Sequence, residues 1–473
     1  MMNFKVITTL VCATAIAVTA GAVDVKWTSS TDADRWHDGG QVEVTTFDPH
    51  VVYDVMVTRY KQQPILGWGG CFGELGWDAL QLLSKKDQNQ VMQELFSADG
   101  AAFGYCRTPI GANDFARNWY SLDDVPGDYS LKHFSIKRDK SCLIPYIKAA
   151  RKVNPDMKLW ACPWSPPTWI KSNKNYATKA DKLNGMDPKL MVKTGAEDMV
   201  YQDDRTLNFY AGYFSKYLTE YKKAGVKVDM IMFQNEPYTH NIWPNCSWSP
   251  KGTAKFVGKY LGPLLKKEHP GVEIWHGTMN TSNYDDLMTV MADPEASKYL
   301  SGMGFQWEGK DVCRKMRETF LDMPMMCTEN ECGSGTYDWP AAEKTWWNIK
   351  AYVDGGCGVY MYFNMILKDK GTSSWGWDQN TLIRVDSKTR TYTLTPEFYL
   401  MKHFGHFVPE GSVKLKLMGN DDDMLAFQRP DGTVVVFVAN CEDNARTKTV
   451  AWNGQVLKFK MEARSFNTFV ISK

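Results

Sequence analysis

The sequence predicts an α/β protein: a (β/α)8 barrel with a β-sandwich side domain built from both chain ends. Three observations predict it. Between about residues 65 and 365, short apolar runs alternate with longer amphipathic stretches, the pattern of repeated strand-helix units and a parallel sheet. Eight such runs follow one another, which favours a closed barrel over an open sheet. The flanks read differently, the N-terminal one alternating with period two and the C-terminal one carrying several β runs around a turn signal.

The eight candidate strands lie near residues 65–70, 102–108, 158–163, 228–234, 273–276, 303–307, 323–328 and 358–364. Helical patterns separate them. In 207–224, Tyr210, Tyr213, Phe214, Tyr217, Leu218 and Tyr221 recur at three and four residues and so share one helix face. At the N-terminal flank, 41–58 alternates. At the other end, 412–472 contains β runs at 434–438 and 466–471 around the turn signal Arg429-Pro430-Asp431-Gly432. The expected organisation is an export signal over 1–22, the first sandwich strands over 23–64, the barrel over 65–400 and the rest of the sandwich over 401–473. Neither a repeat nor a flexible linker separates the modules, so they are expected to pack rigidly.

Composition narrows the partner. The 473 residues carry 55 Lys and Arg against 54 Asp and Glu, so no global field invites nucleic acid or an anionic membrane. An uncharged ligand fits better. Aromatic residues make up 13%, with 18 Trp, whose flat apolar rings can stack on a sugar face. Lys5, the apolar stretch 6–18 and Ala20-Gly21-Ala22 form a secretory signal with a small-residue cleavage site. The protein is therefore expected in the periplasm, on the cell surface or in the medium. Thr9-Leu10-Val11-Cys12 makes a poor lipoprotein box, and no later window approaches the ~20 apolar residues of a membrane span.

Ten further cysteines show no spacing suited to zinc, so neither a metal nor another cofactor is expected. Cys71, Cys106, Cys162, Cys327 and Cys357 lie in or beside apolar runs and read as buried thiols. Asn245-Cys246-Ser247 and Asn280-Thr281-Ser282 resemble the N-glycosylation acceptor pattern, which matters only in a glycosylating secretory pathway.

Two carboxylates carry the chemistry. Glu236 closes Met-Ile-Met-Phe-Gln-Asn-Glu-Pro at the end of the fourth run. Glu329 closes the seventh, in Met-Pro-Met-Met-Cys-Thr-Glu-Asn-Glu-Cys-Gly. Leaving a Glu unpaired at a buried strand tip is costly, because its desolvated charge needs partners or a raised pKa. On a barrel both tips face the carboxyl-end mouth, where catalytic residues collect. Two opposed carboxyls can cleave an acetal, one donating a proton to the leaving oxygen and the other attacking the anomeric carbon. Asn235 can bond a sugar hydroxyl from the same strand end.

Asn235-Glu236-Pro237 and Thr328-Glu329, with Gly67-Trp68-Gly69-Gly70, the stretches 107–115 (Arg-Thr-Pro-Ile-Gly-Ala-Asn-Asp-Phe) and 163–169 (Pro-Trp-Ser-Pro-Pro-Thr-Trp), and 403–412 (His-Phe-Gly-His-Phe-Val-Pro-Glu-Gly-Ser), resemble glycoside hydrolase family 30. The resemblance runs from about residue 60 to the C-terminus. It implies a barrel with a sandwich from both ends, Glu236 as acid/base and Glu329 as nucleophile of a retaining reaction. It also implies Arg107 near the nucleophile, with Asp114 and Trp164 on the innermost sugar. Glu331 competes with Glu329, since two residues along a strand share a face; Glu329 is preferred because Glu-x-x-x-Gly then ends at Gly333. Arg107 equally suits plain charge neutralisation, and Trp169 reads as core.

Two departures bear on substrate. Glucosylceramidases of the family carry His-Trp-Tyr after strand six, where this chain has Gln306-Trp307-Glu308, and Trp-Asn after strand eight, where it has Phe363-Asn364. Gln306 and Trp307 are therefore candidate substrate contacts of a different kind. The loop tryptophans Trp243, Trp248, Trp375 and Trp377 are candidate platforms for successive sugars. The resemblance thus implies a secreted retaining β-glucanase, foremost an endo-β-1,6-glucanase. The alternatives are a glucosylceramidase or other β-glucosidase, a xylan- or fucoside-directed member, a non-catalytic carbohydrate-binding protein and a purely structural surface protein.

Overall fold

The computed structural model describes residues 23–192 and 197–472; the expected export signal over 1–22 lies outside them. Four strands come first: β1 (Asp24–Ser30), β2 (His37–Asp38), β3 (Glu43–Thr46) and β4 (Val55–Pro64). The next eight are β5 (Gly67–Cys71), β6 (Tyr105–Pro109), β7 (Lys158–Cys162), β8 (Met230–Ile231), β9 (Glu273–Met279), β10 (Leu300–Gln306), β11 (Met325–Glu329) and β12 (Val359–Asn364). They close into a parallel barrel in chain order, β12 bonding β5. Each falls within or beside one of the eight predicted runs.

Apolar residues line both faces of these strands, as a parallel barrel requires. Trp160, Cys162, Met230, Met232, Met326, Val359 and Met361 point into the lumen and pack together there. Their neighbours Leu159, Ala161, Ile231, Phe233, Cys327 and Tyr360 point outward into the core beneath the helices. A Cβ on Gly69 would stand 1.6 Å from the Tyr105 carbonyl oxygen, so the close approach of β5 and β6 needs glycine. The predicted tyrosine-rich helix is Asp204–Lys223. It begins three residues before the apolar stripe because Asp203 caps it, accepting the Thr206 amide at 3.0 Å.

β13 (Ile366–Lys368), β14 (Ile383–Val385) and β15 (Tyr392–Leu394) form a small sheet after the last barrel strand. Nothing in the period of the sequence predicted it. The chain then supplies β16 (Val413–Gly419), β17 (Met424–Gln428), β18 (Val434–Asn440), β19 (Arg446–Trp452), β20 (Gln455–Met461) and β21 (Ser465–Ser472). With β1–β4 they make a ten-stranded sheet in the order β2-β1-β21-β18-β17-β16-β4-β19-β20-β3, the β-sandwich built from both ends. Alternation along β18 divides its side chains between two cores. Val434, Val436 and Val438 face the sandwich interior, while Val435, Phe437 and Ala439 belong to the barrel core. Phe437 lies 4.7 Å from Trp346 and 4.5 Å from Phe404, on the helices Trp339–Asp354 and Pro396–Phe407. One continuous apolar layer thus joins the two modules.

Candidate active site

Glu329 is the last residue of β11, and Glu236 follows β8 at the same end of the barrel. Although β8 is formally two residues long, the ladder continues past it. The Met232 amide donates to the Ala161 carbonyl at 3.1 Å and the Asn235 amide to that of Pro163 at 2.8 Å. At Glu236 the chain turns sharply, with φ +46°, a region that costs a non-glycine residue of order 1 kcal/mol. The Thr278 hydroxyl holds this turn by accepting the Glu236 amide at 2.9 Å. Thr239 donates its hydroxyl to the Glu236 carboxylate at 3.1 Å. Neither carboxyl is open to water: Glu236 is 5% exposed and Glu329 3%.

Arg107, on β6, is fully buried and ties the cluster together. Its Nη1 donates to Glu329 at 2.7 Å and its Nη2 to the Asn235 carbonyl at 2.5 Å, with the guanidinium carbon 4.0 Å from the Trp164 ring centre. Gln306 stands opposite Glu329 in the β10–β11 register. Thr328 fixes its amide by donating to Oε1 at 2.9 Å, which turns Nε2 toward Asn235 at 3.4 Å. While these donors take the Asn235 carbonyl, its Nδ2 is buried without a hydrogen-bond partner among the described residues. Such a donor is what an incoming hydroxyl needs.

Two loops meet above these residues. Trp243, after β8, and Trp375, after β12, pack at a tilt with ring centres 4.8 Å apart, and Trp377 stacks on Trp375 at 5.4 Å. Trp375 donates its indole N–H to Asp114 at 3.1 Å, bringing that carboxyl to the rim of the cluster.

Electrostatics follow from burial. It pushes Glu329 well above the ordinary carboxylate range; Arg107 pulls it back, while Glu236 and Asp114 push it up. Glu236 is raised by burial too, opposed by hydrogen bonds from Gln306, Thr239 and Trp243. Asp114 rises to about 7, from burial first and the charge of Glu236 second. Three carboxyls therefore share one guanidinium. Only one of them is charge-compensated, and the direct bond makes that one Glu329.

The structure brings Arg107, Asp114, Trp164, Asn235, Glu236, Gln306 and Glu329 together, with Trp243 and Trp375 over them. Trp307 follows Gln306 at φ +50° and makes no hydrogen bond or ring contact with the cluster among the described residues. Trp248 is a correction: fully buried, it meets Phe233 edge-on and Phe256 at a tilt, with ring centres 5.2 Å apart in each pair, and cannot platform a sugar. Asn245 is also fully buried, bonded to Thr178, so it is no glycosylation acceptor as folded. Glu331 turns outward to Lys344 at 2.6 Å, with 39% of its side chain exposed, and leaves the cluster to Glu329. Gly333, at φ +69°, has no room for a Cβ beside Asn380. Trp169 packs on Phe209 at 4.6 Å, as core. All ten described cysteines are free, nine of them buried. Sequence reasoning missed Thr239, Thr278 and Thr328; a lone threonine at a strand end carries no signal of its own.

Comparison with known proteins matches this arrangement to one family. The model of the glycosyl hydrolase family 30 TIM-barrel domain matches residues 65–408, and that of the family 30 β-sandwich domain matches residues 411–469. The chain is 26% identical to the lysosomal acid glucosylceramidase of Mus musculus over 80% of its own length and 75% of that protein's. It is 25% identical to the endo-1,6-β-D-glucanase neg1 of Aspergillus fumigatus, over 87% and 85%. In fold it superposes on the endo-β1,6-glucanase BT3312 with a TM-score of 0.78 at 20% identity, covering 95% of this chain and 100% of that one.

Proposed function

Because the chain belongs to glycosyl hydrolase family 30, we propose that this glycosyl hydrolase is an exported retaining β-glucanase, acting foremost as an endo-β-1,6-glucanase. The observation that carries the mechanism is the Arg107 bridge between Glu329 and Asn235. Glu329, whose charge Arg107 balances, attacks the anomeric carbon. Glu236, whose carboxyl burial raises above its ordinary value, donates a proton to the departing oxygen. The glycosyl-enzyme ester is then opened by water, whose proton returns to Glu236. Asn235 Nδ2 and the Gln306 amide bond sugar hydroxyls, and Arg107 holds the nucleophile in line. Trp243 presents its outer ring face to the sugars beside the scissile bond, and Trp375, between Trp243 and Trp377, fixes the row.

Supporting the glucan reading are the relatives named endo-1,6-β-D-glucanase and the departures at Gln306-Trp307-Glu308 and Phe363 from the glucosylceramidase pattern. A second reading, β-glucosidase action on glucosylceramide, rests on the similarity to the mouse enzyme. Incubation with β-1,6-glucan and, separately, with glucosylceramide tests the choice. Short gluco-oligosaccharides from the polymer support the first reading; release of glucose from the lipid alone overturns it. Export rests on residues 1–22, and the N-terminus of the mature protein tests it.

A further inference from the structure

We infer that the sandwich carries a second glycan-binding site, centred on Trp452 and separate from the barrel mouth. Trp452 ends β19, and the left-handed pair Asn453 (φ +50°) and Gly454 (φ +81°) turns the chain into β20. The indole packs one part against the sandwich core yet stays half-buried. A cavity of about 460 Å³ borders it, its polar lining including Arg59, Lys61, Gln428, Asp431, Thr433 and Asn453. A second, of about 340 Å³, borders it too, with Phe47, Met56 and Gly454. Trp452, Arg59 and Asn453 are common to both.

A residue that merely closed a core would not line two cavities, nor be ringed by hydrogen-bonding side chains. Arg59 donates to the Asn453 amide oxygen, so a guanidinium is held in place beside the indole. Gln428 makes no side-chain hydrogen bond among the described residues. Asp431 accepts the Thr433 amide at 2.9 Å and stands exposed at the cavity edge. A pyranose with equatorial hydroxyls is amphipathic in the matching way. Its axial C–H face suits an indole, and its rim of hydroxyls suits paired donors and acceptors of amide, carboxylate and guanidinium type. Lining of mixed charge suits a neutral ligand better than an anion. The ligand class is therefore a neutral β-glucan chain, held away from the reacting centre; that choice of polymer rests on the function proposed above.

The test uses the full chain bearing Glu329→Gln, run in native gels containing β-1,6-glucan, laminarin-type β-1,3-glucan or β-1,4-xylan. Added Trp452→Ala is expected to weaken retardation by at least one polymer about tenfold. Because Trp452 also packs on the core, Arg59→Ala with Asp431→Ala, both exposed, is expected to do the same without loss of thermal stability. In the otherwise unaltered enzyme, either change should lower the initial rate on polymer while leaving kcat/KM on a short soluble gluco-oligosaccharide within twofold. Retardation unaffected by both sets of changes overturns the inference, as does a parent chain that no polymer retards. Glucan hydrolysis with no retardation change would leave the proposed function standing alone. Lost retardation in a protein that hydrolyses no glucan would leave the site standing alone.

Discussion

Arg107 bonds Glu329 at 2.7 Å with no exposure of its own, so, among the described residues, the guanidinium within this cluster bonds directly to one carboxyl of three. That asymmetry is the basis of the proposed roles, Glu329 as nucleophile and Glu236 as acid. A guanidinium never releases its proton at accessible pH, so Arg107 stays charged beside Glu329 throughout.

The first prediction separates the two roles. Glu236→Ala and Glu329→Ala should each lower turnover by ~10³-fold or more, the scale of a lost general acid or nucleophile. Added azide should rescue both, giving the β-glycosyl azide with Glu236→Ala, where azide opens the intermediate. The product should be the α-azide with Glu329→Ala, where azide replaces the nucleophile. Identical azide anomers from both variants would remove the assignment.

Removing the cation should cost stability in a pH-dependent way. Arg107→Gln leaves Glu329 buried without its partner, a loss of about 3–5 kcal/mol when the carboxyl must ionise. Without Arg107 the proton is held more tightly, so the loss is smaller at pH 4, where Glu329 stays neutral, and larger at pH 7.5. Thermal melts at the two values check it.

Asp114 makes the opposite test. In the unfolded chain it loses its proton near the ordinary carboxylate value, and in the fold at about 7. Between those values the fold binds the extra proton, so stability falls as pH rises through that window. Asp114→Asn escapes the penalty and can still accept the Trp375 N–H. It should match the parent in stability at pH 4 and exceed it above pH 7, by no more than ~4 kcal/mol.

Glu331 should be nearly silent. Its ion pair with Lys344 is partly exposed, and such pairs contribute about 0–1 kcal/mol. Glu331→Gln should keep kcat within about twofold, and a collapse of kcat would return the nucleophile question to Glu331.

The barrel was legible because both faces of each strand bury apolar residues, leaving eight runs that no amphipathic helix imitates. Glu236 and Glu329 were legible because a carboxylate closing such a run contradicts its surroundings. Other features left no local trace. β13–β15 are three residues each, too short to display a period. Trp248 and Trp375 lie on comparable loops in the sequence, but only long-range packing sends one under Phe256 and the other onto Asp114. Thr278 and Thr328 matter through what they orient, which depends on strand register. The outward turn of Glu331 likewise depends on Lys344, thirteen residues on.

The measurement closest to the central claim is digestion of linear β-1,6-glucan by the purified protein and by its Glu329→Gln variant, with products sized over time and their anomeric form read by NMR before mutarotation. The account predicts a ladder of short gluco-oligosaccharides, first released as β-anomers, and none from the variant. Release of α-anomers, or an equal ladder from Glu329→Gln, would contradict it.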